Sequence, residues 1–377
     1  MLNRSATPIA LHPPPGHRLP GLDGLRAVAL FVVILHHQGI VSFGWEAMQM
    51  FFVLSGYLIT RLLWQGRGEP SKDYFLGFYA RRALRILPLY YGVLLAIAAA
   101  ALLTTKGEVV KPALPYLASY SYNLWYAFTG NESRYISHFW SLCAEEQFYL
   151  IWPFFIFFCP ARHIRKALLA LMLAGPLVRV GEILLLRSMP PTGLPLDFSI
   201  YVLTPTYIDG FAFGAYIALF PLGGSRRVFF IVTGALVAIT YLVLSSASGV
   251  RDATGMGPGY VLIWGYSLVN LTSALLIDCL VVRKLAPGFF DLPVLRYIGK
   301  ISYGVYVFHW PVQTAIEQLL PTSPLIVRLA MHIAITMALA ATSFALWETP
   351  FLAKKDVWFP LRRKQSMQLA SQPSNAA

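Results

Sequence analysis

Four groups of residues have the types and spacing from which a chemical site can be built. Near the start of the chain, Leu22-Asp23-Gly24-Leu25-Arg26 is followed, after ten intervening residues, by His37, with His36 beside it. On a helix, eleven steps bring His37 back to within about 20° of Arg26 and place it about 16 Å further along. The two share one face, and an imidazole so placed can serve as general base for a hydroxyl. The alternative is that His37 is an interhelical hydrogen-bonding residue; His36 faces elsewhere and reads as structural.

The second group lies in Ser137-His138-Phe139-Trp140-Ser141-Leu142-Cys143-Ala144-Glu145-Glu146-Gln147-Phe148-Tyr149. His138, Ser141, Glu145 and Tyr149 follow the three-and-four spacing of one helical face and form a polar stripe in apolar surroundings. Glu145 is expected at roughly the depth of His37, where a carboxylate can orient the imidazole or position an acceptor hydroxyl. A structural network between helices is the other reading. The third group is Arg81, Arg82 and Arg85, at helical spacing in the stretch from Phe78 to Pro88. Planar guanidinium forks suit phosphate oxygens, although an anchor to lipid headgroups has the same composition.

The fourth group is scattered: Asp209 near the middle of an apolar run, as a candidate lining residue, with His309, His332 and Glu348. Ionisable groups inside a membrane cost roughly 2.5–3.5 kcal/mol each on insertion scales, so those retained are site candidates. Ser55-Gly56 on an apolar helix reads as close helix packing rather than as a nucleophile. There is no glycine-rich phosphate loop, no HExxH and no G-x-S-x-G elbow.

The elements that must hold these groups are membrane helices. Of 377 residues, 57% are hydrophobic and only 12% charged, with mean hydropathy +0.59. Such a chain takes lipid as its solvent, and each span needs roughly 20 apolar residues. Runs near 25–42, 45–64, 84–104, 137–159, 166–187, 200–221, 228–247, 259–281, 300–320 and 325–347 meet that need. The fold expected is therefore all-α, a polytopic membrane bundle of about ten helices.

The net charge of +13 would suggest nucleic acid in a soluble protein, but here its distribution reports orientation, and no nucleic-acid partner is expected. With both termini cytoplasmic, only Lys106, Lys111, Arg134, Arg187 and Arg251 fall outside, and Arg179 and Arg328 fall within spans. The domains expected are a polar, proline-rich tail over 1–19 without the apolar core of a signal peptide, a membrane domain over 20–350, and a basic cytoplasmic tail over 351–377. Cys143, Cys159 and Cys279 lie in or beside apolar runs and read as small core residues, with neither a disulfide framework nor a metal site indicated. Asn131-Glu132-Ser133 fits a glycosylation sequon, of consequence only in a eukaryotic host.

Taken together these segments resemble the acyltransferase-3 family of membrane acyltransferases. The resemblance rests on LDGLRAVALFVVILHH, FFVLSGYLIT, FYARRALRILP, HFWSLCAEEQFYLIWP, ISYGVYVFHWPV and WETP, six segments in the family's order from residue 20 to 350. It implies a ten-span bundle in a bacterial inner membrane that takes an acyl group, commonly acetyl, from cytoplasmic acyl-coenzyme A. The acceptor it implies is a hydroxyl of a sugar, glycolipid or small molecule of the cell envelope, and no metal takes part. By residue, it makes Arg26 and His37 the family's arginine and histidine, assigns coenzyme A phosphates to Arg81, Arg82 and Arg85, and matches Glu145 to the family's acid. Tyr207 stands where many members carry an arginine two residues before Asp209, so an Arg-Asp pair in the sixth span is not expected from the pattern. The short basic tail carries no appended hydrolase-like domain, so the membrane domain is expected to act alone or with a separate extracytoplasmic partner. The opposing class is a transporter or flippase of a lipid-linked saccharide, whose usual cue of Gly/Pro-broken helices in two repeated halves is missing.

Overall fold

An apolar run in lipid can satisfy its backbone hydrogen bonds internally only by coiling into a helix. The computed structural model describes residues 19, 21–42, 44–103, 110–220, 222, 225–246, 261–285 and 287–359, and among these it is helical with no strand. The proline-rich N-terminal stretch before Leu19 and the basic tail from 360 onward lie outside the described residues. Each of the ten apolar runs contains a helix. Numbered in chain order, the long helices are α1 Leu22–His37, α2 Trp45–Gly66, α3 Ser71–Leu103, α4 Phe139–Phe158 and α5 Ala161–Arg187. They continue with α6 Ile208–Leu219, α7 Arg226–Ser246, α8 Tyr266–Val281, α9 Ser302–Leu319 and α10 Leu325–Ser343. A π turn at Phe344–Glu348 carries α10 into a last helix, α11 Thr349–Trp358, which runs past the expected domain edge at residue 350.

By length and composition, five helices of the described residues can cross a membrane: α2, α3, α5, α8 with its leading turn, and α10 with its extension. Four of the others fall short for identifiable reasons. α1 and α6 are only 16 and 12 residues long, and α4 and α9 carry the polar groups that build the site.

Burial separates centre from rim. The apolar stretch of α2 is 72% buried, whereas those of α3 and α5 are 28% buried and that of α10 17%. The rim helices turn Leu95, Leu102, Leu173, Leu177, Ile326 and Leu346 outward, apolar exposure on a scale that calls for lipid rather than water. The centre is closed by contact between α2 and α6. A Cβ on Gly56 would lie 2.2 Å from the Phe211 carbonyl oxygen, and one on Gly214 1.9 Å from that of Val53. The two backbones touch because neither position has a side chain, the packing role expected of Ser55-Gly56. Cys143 and Cys279 are buried free thiols, and Cys159 is a half-buried free thiol just past the end of α4.

Candidate active site

Arg26, one turn into α1, faces a cavity that α2, α3, α4 and α9 complete. With its open mouth included the empty space of the cavity measures about 870 Å³. Its polar wall is Arg26, Arg82, Arg85, Glu145, Glu146 and Tyr149, and Met48, Phe51, Leu54, Ile86 and Leu142 supply an apolar side. Arg82 and Arg85 reach it together because residues three apart share a helical face. The Arg82 guanidinium lies 3.8 Å from the centre of the Tyr149 ring, and its buried Nε has no hydrogen-bond partner. Arg85 stands exposed, and Arg26 has only a loose, partly exposed ion pair with Asp23 at 3.6 Å. Glu145, by contrast, is engaged: it accepts a 2.6 Å hydrogen bond from Ser55 Oγ, which also lies 3.0 Å from Tyr149 Oη. Three guanidinium groups gathered at one cavity suit a polyanion.

The inner end of the cavity is closed by Tyr306 and Ser141, whose hydroxyls meet at 2.6 Å, while Tyr306 Oη also donates to the His138 carbonyl at 3.0 Å. Behind that pair lies a layer of imidazoles. His309, fully buried, has its ring centre 5.1 Å from Tyr306, 5.2 Å from His138 and 5.2 Å from His37. His37 Nδ1 lies 3.1 Å from His309 Nε2, and the Trp310 indole stands edge-on to His37 at 4.3 Å. His332 Nε2 donates to the His309 carbonyl at 2.9 Å. The His-Trp-Pro sequence in α9 makes this possible. Pro311 has no N–H, so the Val307 carbonyl four residues earlier has no helical donor and accepts from His138 Nε2 at 3.2 Å. α1 and α9 run in the same sense: the start of α9 lines the cavity with Arg26, and its middle meets His37.

Arg26 and His37 thus both face α9, as their shared face requires, but they belong to adjoining compartments with Tyr306 and Ser141 between them. Several expectations are corrected in position. Glu145 is level with the arginines, not with His37; the residue of its helix that reaches the imidazole layer is His138, seven positions earlier and about 10 Å away along the axis. His138 is buried behind the cavity wall, whereas Ser141 and Tyr149 line it. Arg81, four residues from Arg85, points away from the cavity and donates to the Phe359 carbonyl at 2.5 Å. The start of the C-terminal segment holds it, which helical spacing could not reveal. Among the described residues no group of three or more His, Cys, Asp or Glu is set to hold a metal ion.

Asp209 departs furthest from its expected place. It is fully buried away from the cavity and accepts from Arg179 through both oxygens at 3.0 Å, from Ser267 at 2.6 Å, from Asn270 at 3.1 Å and from the Gly210 amide at 3.0 Å. With its lone pairs occupied and no exposure, it has nothing left for a substrate. The arginine missing at Tyr207 is supplied from α5, since Arg179 lies 30 residues earlier in the chain. Arg179 also donates to the Thr206 carbonyl at 2.7 Å and to the Ile263 carbonyl in the π turn Val261–Gly265. Tyr303, Tyr306 and Glu146 of the cavity carried no separate signal beyond their presence in the matching segments.

The sequence profile of the acyltransferase-3 family, described as an acyltransferase domain, matches residues 19–347. Among curated proteins, the chain is 29% identical over 362 residues to YrhL of Bacillus subtilis, named as a candidate peptidoglycan O-acetyltransferase, covering 89% of this chain and 55% of that one. It is 26% identical over 370 residues to O-acetyltransferase OatA of Staphylococcus aureus, covering 93% of this chain and 60% of the relative. The chain therefore spans somewhat more than half the length of these relatives. No solved structure matches it significantly. A profile match over most of the chain, together with six ordered segments of which five supply the cavity and the imidazole layer, places this protein in the acyltransferase-3 family.

Proposed function

We propose that the chain is a membrane O-acyltransferase that moves an acetyl group from acetyl-coenzyme A to a hydroxyl of a cell-envelope sugar polymer. The observation that carries this reading is the cavity that gathers the Arg26, Arg82 and Arg85 guanidinium groups one layer of side chains away from His37. Arg82 and Arg85, with Arg26 opposite, hold the donor's phosphates, and the apolar wall of Met48, Phe51 and Leu54 takes its pantetheine arm. For the thioester to reach His37, the Tyr306–Ser141 hydrogen bond must part. His37 then takes the proton of the acceptor hydroxyl as its oxygen attacks the thioester carbon, and the same proton neutralises the departing thiolate. Glu145, through Ser55 and Tyr149, keeps the cavity's polar side in place rather than touching His37.

A ten-span topology with both termini cytoplasmic goes with this reading, because it puts the arginine cavity on the side where coenzyme A is found and His37 toward the acceptor. The name of the Bacillus subtilis relative supports a peptidoglycan acceptor, and apolar helices in a chain with bacterial relatives support a plasma-membrane location.

The test is acetyl-coenzyme A consumption by purified protein in lipid nanodiscs with soluble glycan acceptors. His37→Ala should lose about 10²–10⁴-fold in kcat while keeping its unfolding temperature. Full activity in that variant removes His37 from the chemistry, and no thioester use by the wild type with any acceptor removes the acyl-transfer reading. Trapping of an acylated wild-type protein by the donor alone would replace direct transfer with an acyl-enzyme route.

A further inference from the structure

Resting on the reading of His37 as the base, we propose that His309 is a positioning residue: it fixes His37 as the tautomer whose Nε2 is bare, so an imidazole on α9, rather than a carboxylate, makes His37 a base. The argument starts at a carbonyl. The Tyr306 backbone oxygen can only accept, so His309 Nδ1, 2.5 Å from it, carries a proton. His309 is fully buried, with imidazole and aromatic rings around it and no carboxylate hydrogen-bonded to it. A second proton would leave an unpaired charge in a dry interior, so the ring is neutral and its Nε2 is a lone pair. That lone pair faces His37 Nδ1 at 3.1 Å, which makes His37 Nδ1 the donor. A neutral imidazole has one N–H, and the proton on Nδ1 leaves Nε2 of His37 free to take another.

The surroundings hold the pair in register. Gln313 Nε2 donates to the His37 carbonyl at 2.8 Å. His332 gives its Nε2 proton to the His309 carbonyl, so its Nδ1 accepts from Gln38, the residue after His37, at 3.1 Å. Trp310 blocks rotation of the His37 ring from the side, and His37 itself is only partly buried, so an edge remains reachable. With the opposite tautomer, Nε2 of His37 would be a donor and could take no proton.

The decisive measurement is the nitrogen-15 spectrum of histidine-labelled protein in nanodiscs, with the His37 signals assigned by their loss in His37→Gln. The expected result is a protonated Nδ1 and a bare Nε2 on His37 in the wild type, and a mixture of tautomers in His309→Leu. In turnover, His309→Leu should lower kcat by about 10²-fold or more and leave the KM for acetyl-coenzyme A unchanged, since the arginine cavity is untouched. His309→Gln, whose amide oxygen can accept from His37, should recover most of that loss. A protonated Nε2 on wild-type His37 overturns the proposal, as does undiminished kcat in His309→Leu or an equal loss in the Leu and Gln variants. The wild-type spectrum decides the tautomer even if His309→Leu does not fold. If it shows the expected tautomer while the wild type uses no acyl-coenzyme A, the assignment of the pair stands and the acyl-transfer reading is what fails.

Discussion

Two of the arginine sites inside this bundle answer the cost of buried charge in opposite ways. Arg179 is fully buried, and Asp209, two carbonyls and Ser267 receive its protons. Arg82 is also within the bundle, yet its Nε has no partner, its face rests on the Tyr149 ring, and Arg85 beside it is exposed to open space. A saturated charge holds the protein's own helices together, here α5, α6 and α8. One that keeps a free donor beside a cavity can still take a ligand's anion. Residue type does not tell the two apart; the partner inventory does.

That contrast can be broken experimentally, and the largest effect is expected at the saturated pair. Asp209→Ala leaves the Arg179 guanidinium buried and unpaired, which should cost about 3–5 kcal/mol of stability. It should appear as a large drop in unfolding temperature in nanodiscs, and the double replacement Arg179→Met with Asp209→Leu should recover most of it. A stable Asp209→Ala protein altered only in acceptor KM would return Asp209 to the site. Next in size, Arg85→Ala should raise the KM for acetyl-coenzyme A by about 10–100-fold, the worth of hydrogen bonds to a charged group, with unfolding temperature unchanged. Smaller again, Ser55→Ala removes one donor to Glu145 and should cost about 1 kcal/mol in donor binding, read as a severalfold change by titration of coenzyme A. Arg81→Ala should change donor binding by less than about 0.5 kcal/mol, and a shift as large as that of Arg85→Ala would put Arg81 back among the phosphate ligands.

The sequence alone determined the class of solvent, the material and the chemistry. Apolar runs of span length admit only helices, because lipid offers no partner for the backbone, and each of the ten runs contains one. Helical periodicity put Arg26 and His37 on one face, and both do meet α9. Close packing at Gly56 was legible too, since a glycine in an apolar helix has few other uses there.

What periodicity cannot supply is the partner across the gap. It ties residues to one helix and says nothing about which face of another helix lies opposite or at what height. Glu145 was therefore expected beside His37 but sits with Ser55 among the arginines. Arg81 and Arg85 share a face by count, yet a carbonyl from the far end of the chain takes Arg81. The partner of Asp209 came from α5 rather than from position 207. The His309–His37 contact joins residues 272 positions apart. Ring, carbonyl and lone pair meet there because the middle of α9 lies at the height where α1 ends, and that coincidence of heights exists nowhere but in the packed bundle.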